Sequence, residues 1–127
     1  MPGAKSSGTR SPRQRAGDAA EDAAARHLES CGLRVLERQV AYREGELDLV
    51  CRDGEVLVFV EVRLRRHPRF GDGAASVDHA KRKRLALAAQ HYLISRWGSR
   101  LPACRFDVVS VDAGGTIEWI RDAFTLD

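Results

Sequence analysis

GELDLVCRDGEVLVFVEVRLRR, residues 45–66, holds two apolar runs on either side of Asp53-Gly54. An Asp-Gly pair between such runs is a strong short-range hairpin signal. The spacing predicts one strand from about Glu46 to Arg52 and a second from Glu55 to about Leu64. The second run, VLVFVEV, is almost wholly β-branched, leucine or aromatic, which reads as a strand covered on both faces. A glutamate, Glu61, nevertheless stands where that run ends, with Arg63, Arg65 and Arg66 just beyond it.

A two-residue turn at Asp53-Gly54 pairs Arg52 with Glu55, Asp48 with Phe59 and Glu46 with Glu61. Side chains alternate along a strand, so Glu46, Asp48, Phe59, Glu61 and Arg63 share one face. Asp48 and Glu61 become diagonal neighbours, about 7–8 Å apart. Like charges set opposite each other are destabilising, and burying them uncompensated costs several kcal/mol per ion. Arg63 is one candidate for the offset. A divalent cation is another, because Mg²⁺ takes one or two carboxylates together with waters and phosphate oxygens. The competing arrangement leaves Glu46 in solvent, lets Asp48 cap the turn and pairs Glu61 with Arg63 or a neighbouring strand.

Outward from the hairpin, LRVLERQVAY predicts a strand over about Leu33 to Ala41. Before it, Asp18 to Cys31 is alanine-rich, with Ala20, Ala24, Leu28 and Cys31 at helical spacing and Gly32 as the stop. Glu21 lies on this helix, where a carboxylate is ordinarily solvated. After the hairpin, RRHPRFGDGAAS reads as a loop. Asp78 or Ser76 caps a helix running to about Trp97, with Leu85, Ala88, Ala89, Tyr92 and Leu93 as its apolar face and Gly98 at its end. CRFDVVSV and TIEWIR are two further strands around a Gly-Gly turn. The order αβββαββ predicts an α/β domain, a mixed five-stranded sheet flanked by helices, over residues 18–127. Residues 1–17, rich in Gly, Ser, Pro and basic residues, read as a disordered cationic arm.

With 127 residues the chain fits one domain, and 43% apolar with 31% charged residues is ordinary for a soluble protein. Three widely spaced cysteines without a C-x-x-C pair argue against a disulfide framework or a cysteine zinc site and point to a reducing, cytoplasmic setting. The four histidines show no metal-ligand spacing. No apolar run reaches membrane-spanning length. The net charge of +3 is a mild lean towards polyanions, but eight of the 21 Lys and Arg fall between Arg63 and Arg84. Placed beside the acidic cluster, Arg65, Arg66, Arg69, Lys81, Lys83 and Arg84 are candidates for contact with a nucleic-acid backbone.

The ordered motifs GELDLV, FVEVRLRR, RFG, AKRKRL with QHYL, CRFDVV and IEWIRDAF resemble those of the YraN family of uncharacterised bacterial proteins, from about Gly17 to Phe124. That family is similar in fold to the PD-(D/E)XK nuclease-like superfamily, which includes restriction endonucleases and Holliday junction resolvases. By position the resemblance implies that Asp48 is the first motif acid, Glu61 the second, and Glu21 the helix glutamate of resolvase-like members. Together these imply an Mg²⁺ or Mn²⁺ site, with Glu46 as an auxiliary. Arg63 stands where those nucleases carry a lysine. An arginine stays protonated and cannot act as a base, but it holds a phosphate well.

The expected function is therefore an endonuclease-like protein hydrolysing phosphodiesters in DNA or branched DNA, with Asp48, Glu61 and Arg63 as its catalytic residues. Two alternatives stay open: a non-catalytic nucleic-acid-binding module of the same fold, and an interaction protein whose carboxylates form structural ion pairs. Junction resolvases act as dimers, so a homodimer is a further expectation, although no dimer seam is legible.

Overall fold

Ser11-Pro12-Arg13-Gln14 carries a complete helix-start signal. The Ser11 hydroxyl accepts the Gln14 N–H (3.1 Å), Gln14 Oε1 accepts the Ser11 N–H (2.8 Å), and Pro12 occupies the first helical position. In the computed structural model, which describes residues 10–65 and 77–125, the first helix α1 accordingly runs Pro12–Ser30. The arm read as extending to residue 17 is thus corrected. Residues 12–17 are helix, because a capping box outweighs a basic, proline-containing composition, and residues 1–9 lie outside the described residues. Cys31, assigned above to the apolar stripe, is exposed. The buried stripe is Ala20, Ala24, Ala25 and Leu28, with Glu21 among them.

Strands β1 (Arg34–Ala41), β2 (Glu46–Asp53) and β3 (Val56–Arg65) follow, then helix α2 (His79–Trp97), β4 (Cys104–Asp112) and β5 (Ile117–Phe124). They form one sheet in the order β1-β2-β3-β4-β5, with β3 and β4 parallel and the other neighbours antiparallel. This is the expected α/β architecture. The parallel step is made by α2, as a crossover requires. Of the two caps considered, Asp78 starts α2, its carboxylate accepting the Lys81 N–H at 2.8 Å.

Each helix covers one face of the sheet. α1 packs with Leu33, Leu49, Cys51, Val58, Val60, Val109 and Val111. α2 lays Leu85, Ala88, Ala89 and Tyr92 against Leu47, Val50, Leu57, Phe59, Phe106, Val108 and Phe124. With both faces covered, the central strands are apolar throughout, which explains the continuous run in β3.

The hairpin register differs from the expected one. Asp53 pairs with Val56 and Leu49 with Val60, so the two turn residues are Gly54 and Glu55. Gly54 has φ +62°. Glycine at the first central position is the preference of the II′ hairpin turn, and Glu55 at the second has no positive φ. The shift moves every pairing along by two residues, which preserves the faces as far as the last pair, Leu49↔Val60.

Candidate functional site

Leu47 and Leu49 are two residues apart in β2 yet belong to opposite cores. Alternation therefore breaks between them, at Asp48. The partner strand breaks at the same level: Gln39, between the pairs Arg38↔Leu49 and Val40↔Leu47, has φ +54°. A non-glycine residue in the left-handed region is strained and is held there by its surroundings. The ladder between β2 and β3 also stops here. Beyond Leu49↔Val60 the Val62 N–H donates to Asp48 Oδ2 at 2.9 Å. The Asp48 carboxylate thus fills the opening gap between the two central strands.

Glu61 lies beside it and is buried. Desolvation, followed by the neighbouring Glu61 charge, pushes the Asp48 carboxyl up to about 8, against the pull of the Val62 N–H and of Lys81. Two cations face Glu61: Arg63 Nη1 and Lys81 Nζ each stand 3.4 Å from Glu61 Oε2. Glu61 Oε1 is buried without an N–H donor, and the neighbouring Asp48 carboxyl makes a side-chain hydrogen bond to Glu61 while it holds its proton. Such an oxygen is costly to leave unpaired and is a natural ligand position.

Lys81 is the member of this group whose place the sequence reading missed. It was assigned to the flanking backbone, but the Asp78 cap fixes it in the first turn of α2, over the end of β3. Gly45 brings that helix close. A Cβ on Gly45 would lie 2.8 Å from the Arg84 carbonyl oxygen, so only glycine admits this approach between the β1–β2 turn and α2.

Glu21 is buried on α1 and lines a small cavity of about 200 Å³ together with Gln39, Asp48, Val62 and Leu64. Its oxygens are already engaged. Glu21 Oε1 accepts from Arg38 Nε (3.1 Å) and Nη2 (3.0 Å), and Gln39 Nε2 lies 3.3 Å from both oxygens. Arg38 also binds Asp22. Among the described residues no group of three or more His, Cys, Asp or Glu could by itself hold a metal ion.

The remaining candidates separate. Glu46 is exposed and pairs with Ala41. The break at Asp48 and the corrected register take it off the face it was expected to share with Glu61. Arg65 is nearly buried, with Nη1 3.1 Å from Glu118 and Nη2 3.7 Å from Asp112, an arrangement that ties β3 to the β4–β5 hairpin. Lys83 and Arg84 are exposed on α2. Arg66 and Arg69 lie outside the described residues.

Residues 20–111 match the model of a family described as Uncharacterised protein family UPF0102. The chain belongs to this family. A UPF0102 protein of Dechloromonas aromatica is 55% identical over 111 residues, covering 87% of this chain and 89% of the relative. One from Xanthomonas campestris is 55% identical over 118 residues, covering 91% and 95%. One from Bordetella petrii is 51% identical over 120 residues, covering 91% and 74%. Membership agrees with the resemblance carried by the motifs. The matched span includes Glu21, Asp48, Glu61, Arg63 and Lys81. Among the described residues no helix is long and apolar enough to cross a membrane.

Proposed function

We propose that this UPF0102 protein binds DNA or branched DNA and hydrolyses a phosphodiester with the help of a divalent cation, Mg²⁺ or Mn²⁺. The observation that carries the reading is the pair Asp48 and Glu61. Two carboxylates sit side by side, one of them with a buried oxygen that no N–H reaches, and two cations stand within reach. This set fits Mg²⁺ in its usual mode, where one or two carboxylates suffice and phosphate and water complete the sphere. Asp48 and Glu61 would hold the ion, with Glu21 at the far wall of the cavity positioned by Arg38 and Gln39. When bound, the cation supplies Lewis acidity at the phosphodiester and makes water a better nucleophile.

The protein's own side chains do the rest. Arg63 offers a bidentate fork to a non-bridging phosphate oxygen, and Lys81 adds a point charge beside it. Between them they supply what the single motif lysine supplies in the nucleases. Exposed Lys83 and Arg84 continue the cationic track along α2.

A second reading also has a specific observation behind it. Glu61 is already neutralised by two cations, and Glu21 by Arg38. This favours a nucleic-acid-binding module whose carboxylates are structural. One experiment separates the two. Linear, flapped and four-way DNA are incubated with Mg²⁺ or Mn²⁺, with and without chelator, beside the Asp48→Ala protein. Metal-dependent cleavage lost in the variant supports hydrolysis. Retained binding without cleavage by the native protein under every metal condition selects the binding module.

A further inference from the structure

At the end of α2 remote from Lys81 lies a second cleft, of about 500 Å³, lined by Arg52, Glu55, Arg96, Trp97, Arg100 and Pro102 among others. Lys81 and Trp97 are 16 residues apart on one helix, about 24 Å along its axis. The cleft therefore shares no residue with the carboxylate site, and its cations lie outside the cluster between Arg63 and Arg84.

Its charges are poorly balanced by the protein itself. Arg96 is engaged, its Nε and Nη2 reaching the two Glu37 oxygens at 3.0 and 2.9 Å. Arg52 makes a bond of 3.3 Å from Nε to the Gly54 carbonyl and has no acidic partner among the described residues. The Arg100 side chain likewise has no acidic partner among the described residues; its backbone N–H donates to the Trp97 carbonyl at 3.2 Å. Arg34 stands directly across the ladder from Arg52, a like-charge pair that opposes strand pairing. Beside these cations the Trp97 side chain, 37% exposed, gives the cleft an aromatic wall.

Arg52 and Arg100 outnumber the single carboxylate lining the cleft, Glu55, and such an excess of guanidinium calls for an oxyanion, with the planar fork suited to phosphate. An accessible indole next to it offers a stacking platform for any base. The geometry points to the Arg52–Trp97–Arg100 cleft as a binding site for a nucleotide unit, with the base on Trp97 and the phosphate on Arg52 and Arg100. For a nucleic-acid strand this would be a contact point some seven nucleotides from the carboxylate site, at about 3.4 Å of helix axis per nucleotide. The inference draws on the nucleic-acid half of the proposed function and is independent of its hydrolytic half.

The protein contains two tryptophans, Trp97 and Trp119, so 5-fluorotryptophan labelling gives two fluorine resonances, assigned with Trp97→Phe. The full-length protein is titrated, in chelator, with a ten-nucleotide single-stranded DNA, a nucleoside monophosphate, inorganic phosphate and polyglutamate. The expected result is a saturable shift of the Trp97 resonance with DNA while Trp119 stays still. Arg52→Ala with Arg100→Ala should weaken that binding at least tenfold, with the folded spectrum retained. Tighter binding of the oligonucleotide than of the monophosphate makes the source a strand, and equal binding makes it a free nucleotide. A Trp97 signal that ignores both nucleic-acid probes, that moves equally with polyglutamate, or that responds unchanged in the double variant overturns the assignment. Because no divalent metal is present, a failure of metal-dependent cleavage leaves this result standing. Cleavage of DNA with a silent Trp97 removes the cleft alone.

Discussion

Replacing Asp48 by Asn tests the charge balance of the site most directly. The amide keeps an oxygen for the Val62 N–H, so the backbone contact at 2.9 Å survives and only the ionisable group is lost. In the native protein the folded-state pKa of Asp48 is raised to about 8, by burial and then by Glu61. A carboxyl unfolded near its ordinary value, about 3.9, is ionised from pH 5 upwards, whereas the folded one still holds its proton. The folded state binds the extra proton, so the Asp48 contribution to stability is fully present below about pH 4 and is lost as pH rises through 8. Three pH units, from 5 to 8, at about 1.4 kcal/mol each give a ceiling of about 4 kcal/mol. Relaxation and water penetration around a carboxyl at a strand end discount this ceiling to about 2 kcal/mol. For a chain of this size that is roughly 6–10 °C in Tm. Thermal melts of the two metal-free proteins at pH 5 and 8 should therefore show Asp48→Asn gaining on the native chain by about this amount at the higher pH. Excess Mg²⁺ should close the gap by stabilising only the native protein. A difference between the two proteins that is flat across this range, or that widens towards acid, refutes the placement of Asp48 in a desolvated pair.

Three further outcomes follow from the same geometry. Gly45→Ala puts a methyl group 2.8 Å from the Arg84 carbonyl oxygen and should cost about 1–3 kcal/mol in denaturant unfolding; a change below 0.5 kcal/mol shows that α2 retreats freely. Asp107 is fully buried and accepts from Arg105 Nε (3.0 Å) and Nη2 (3.2 Å), Trp119 Nε1 (2.9 Å) and the Asp122 N–H (2.9 Å), so Asp107→Ala should cost about 3–5 kcal/mol, read as loss of Tm; unaltered melting rules out a structural role for the network joining β4 and β5. Calorimetric titration of Ca²⁺, an oxygen-seeking stand-in for Mg²⁺, into the protein with and without phosphodiester DNA should give several-fold tighter metal binding in the complex; metal affinity that is unchanged or weakened by DNA counts against a phosphate seated beside Asp48 and Glu61.

The fold was legible where local signals and periodicity agreed. The Asp53-Gly54 pair, the unbroken apolar run of β3 and the apolar face of α2 placed strands and helix to within a residue or two. The start of α1 was obscured by composition: Arg13, Arg15 and Pro12 look like a tail, although Ser11 and Gln14 already carry the cap. The turn register slipped because Asp-Gly does not say which of the two residues is the first central one. Parity survives a shift of two, so the proximity of Asp48 and Glu61 could be read from sequence, whereas the end of the ladder at Leu49↔Val60 and the turn of the Asp48 carboxylate onto the Val62 N–H could not. Glu46 was misplaced for a different reason. Alternation is broken at Asp48 by a left-handed Gln39 on the neighbouring strand, and no residue type signals a positive φ at a glutamine. Lys81 was out of reach because its position depends on how α2 packs at Gly45, a long-range contact that spacing along the chain does not encode.

That packing is what joins the two chemical roles of the site. Glu61 Oε2 is held by Arg63 from its own strand and by Lys81 from α2, at the same distance. These cations lower the cost of a buried carboxylate in the free protein and are also the groups best placed for a phosphate. They cannot serve both fully at once. Under the proposed function an arriving phosphate would draw Arg63 and Lys81 away from Glu61 and leave the carboxylate pair with excess negative charge in a desolvated gap. A divalent cation then becomes the natural replacement. The proposed function therefore predicts that binding of the two ligands is coupled, and such coupling is reciprocal. A site in which Glu61 is paired before nucleic acid arrives is thus consistent with metal use, provided that the metal follows the phosphate. The ion pairs that favour a purely structural reading are the ones such an exchange requires, so the titrations with and without DNA decide between the two readings.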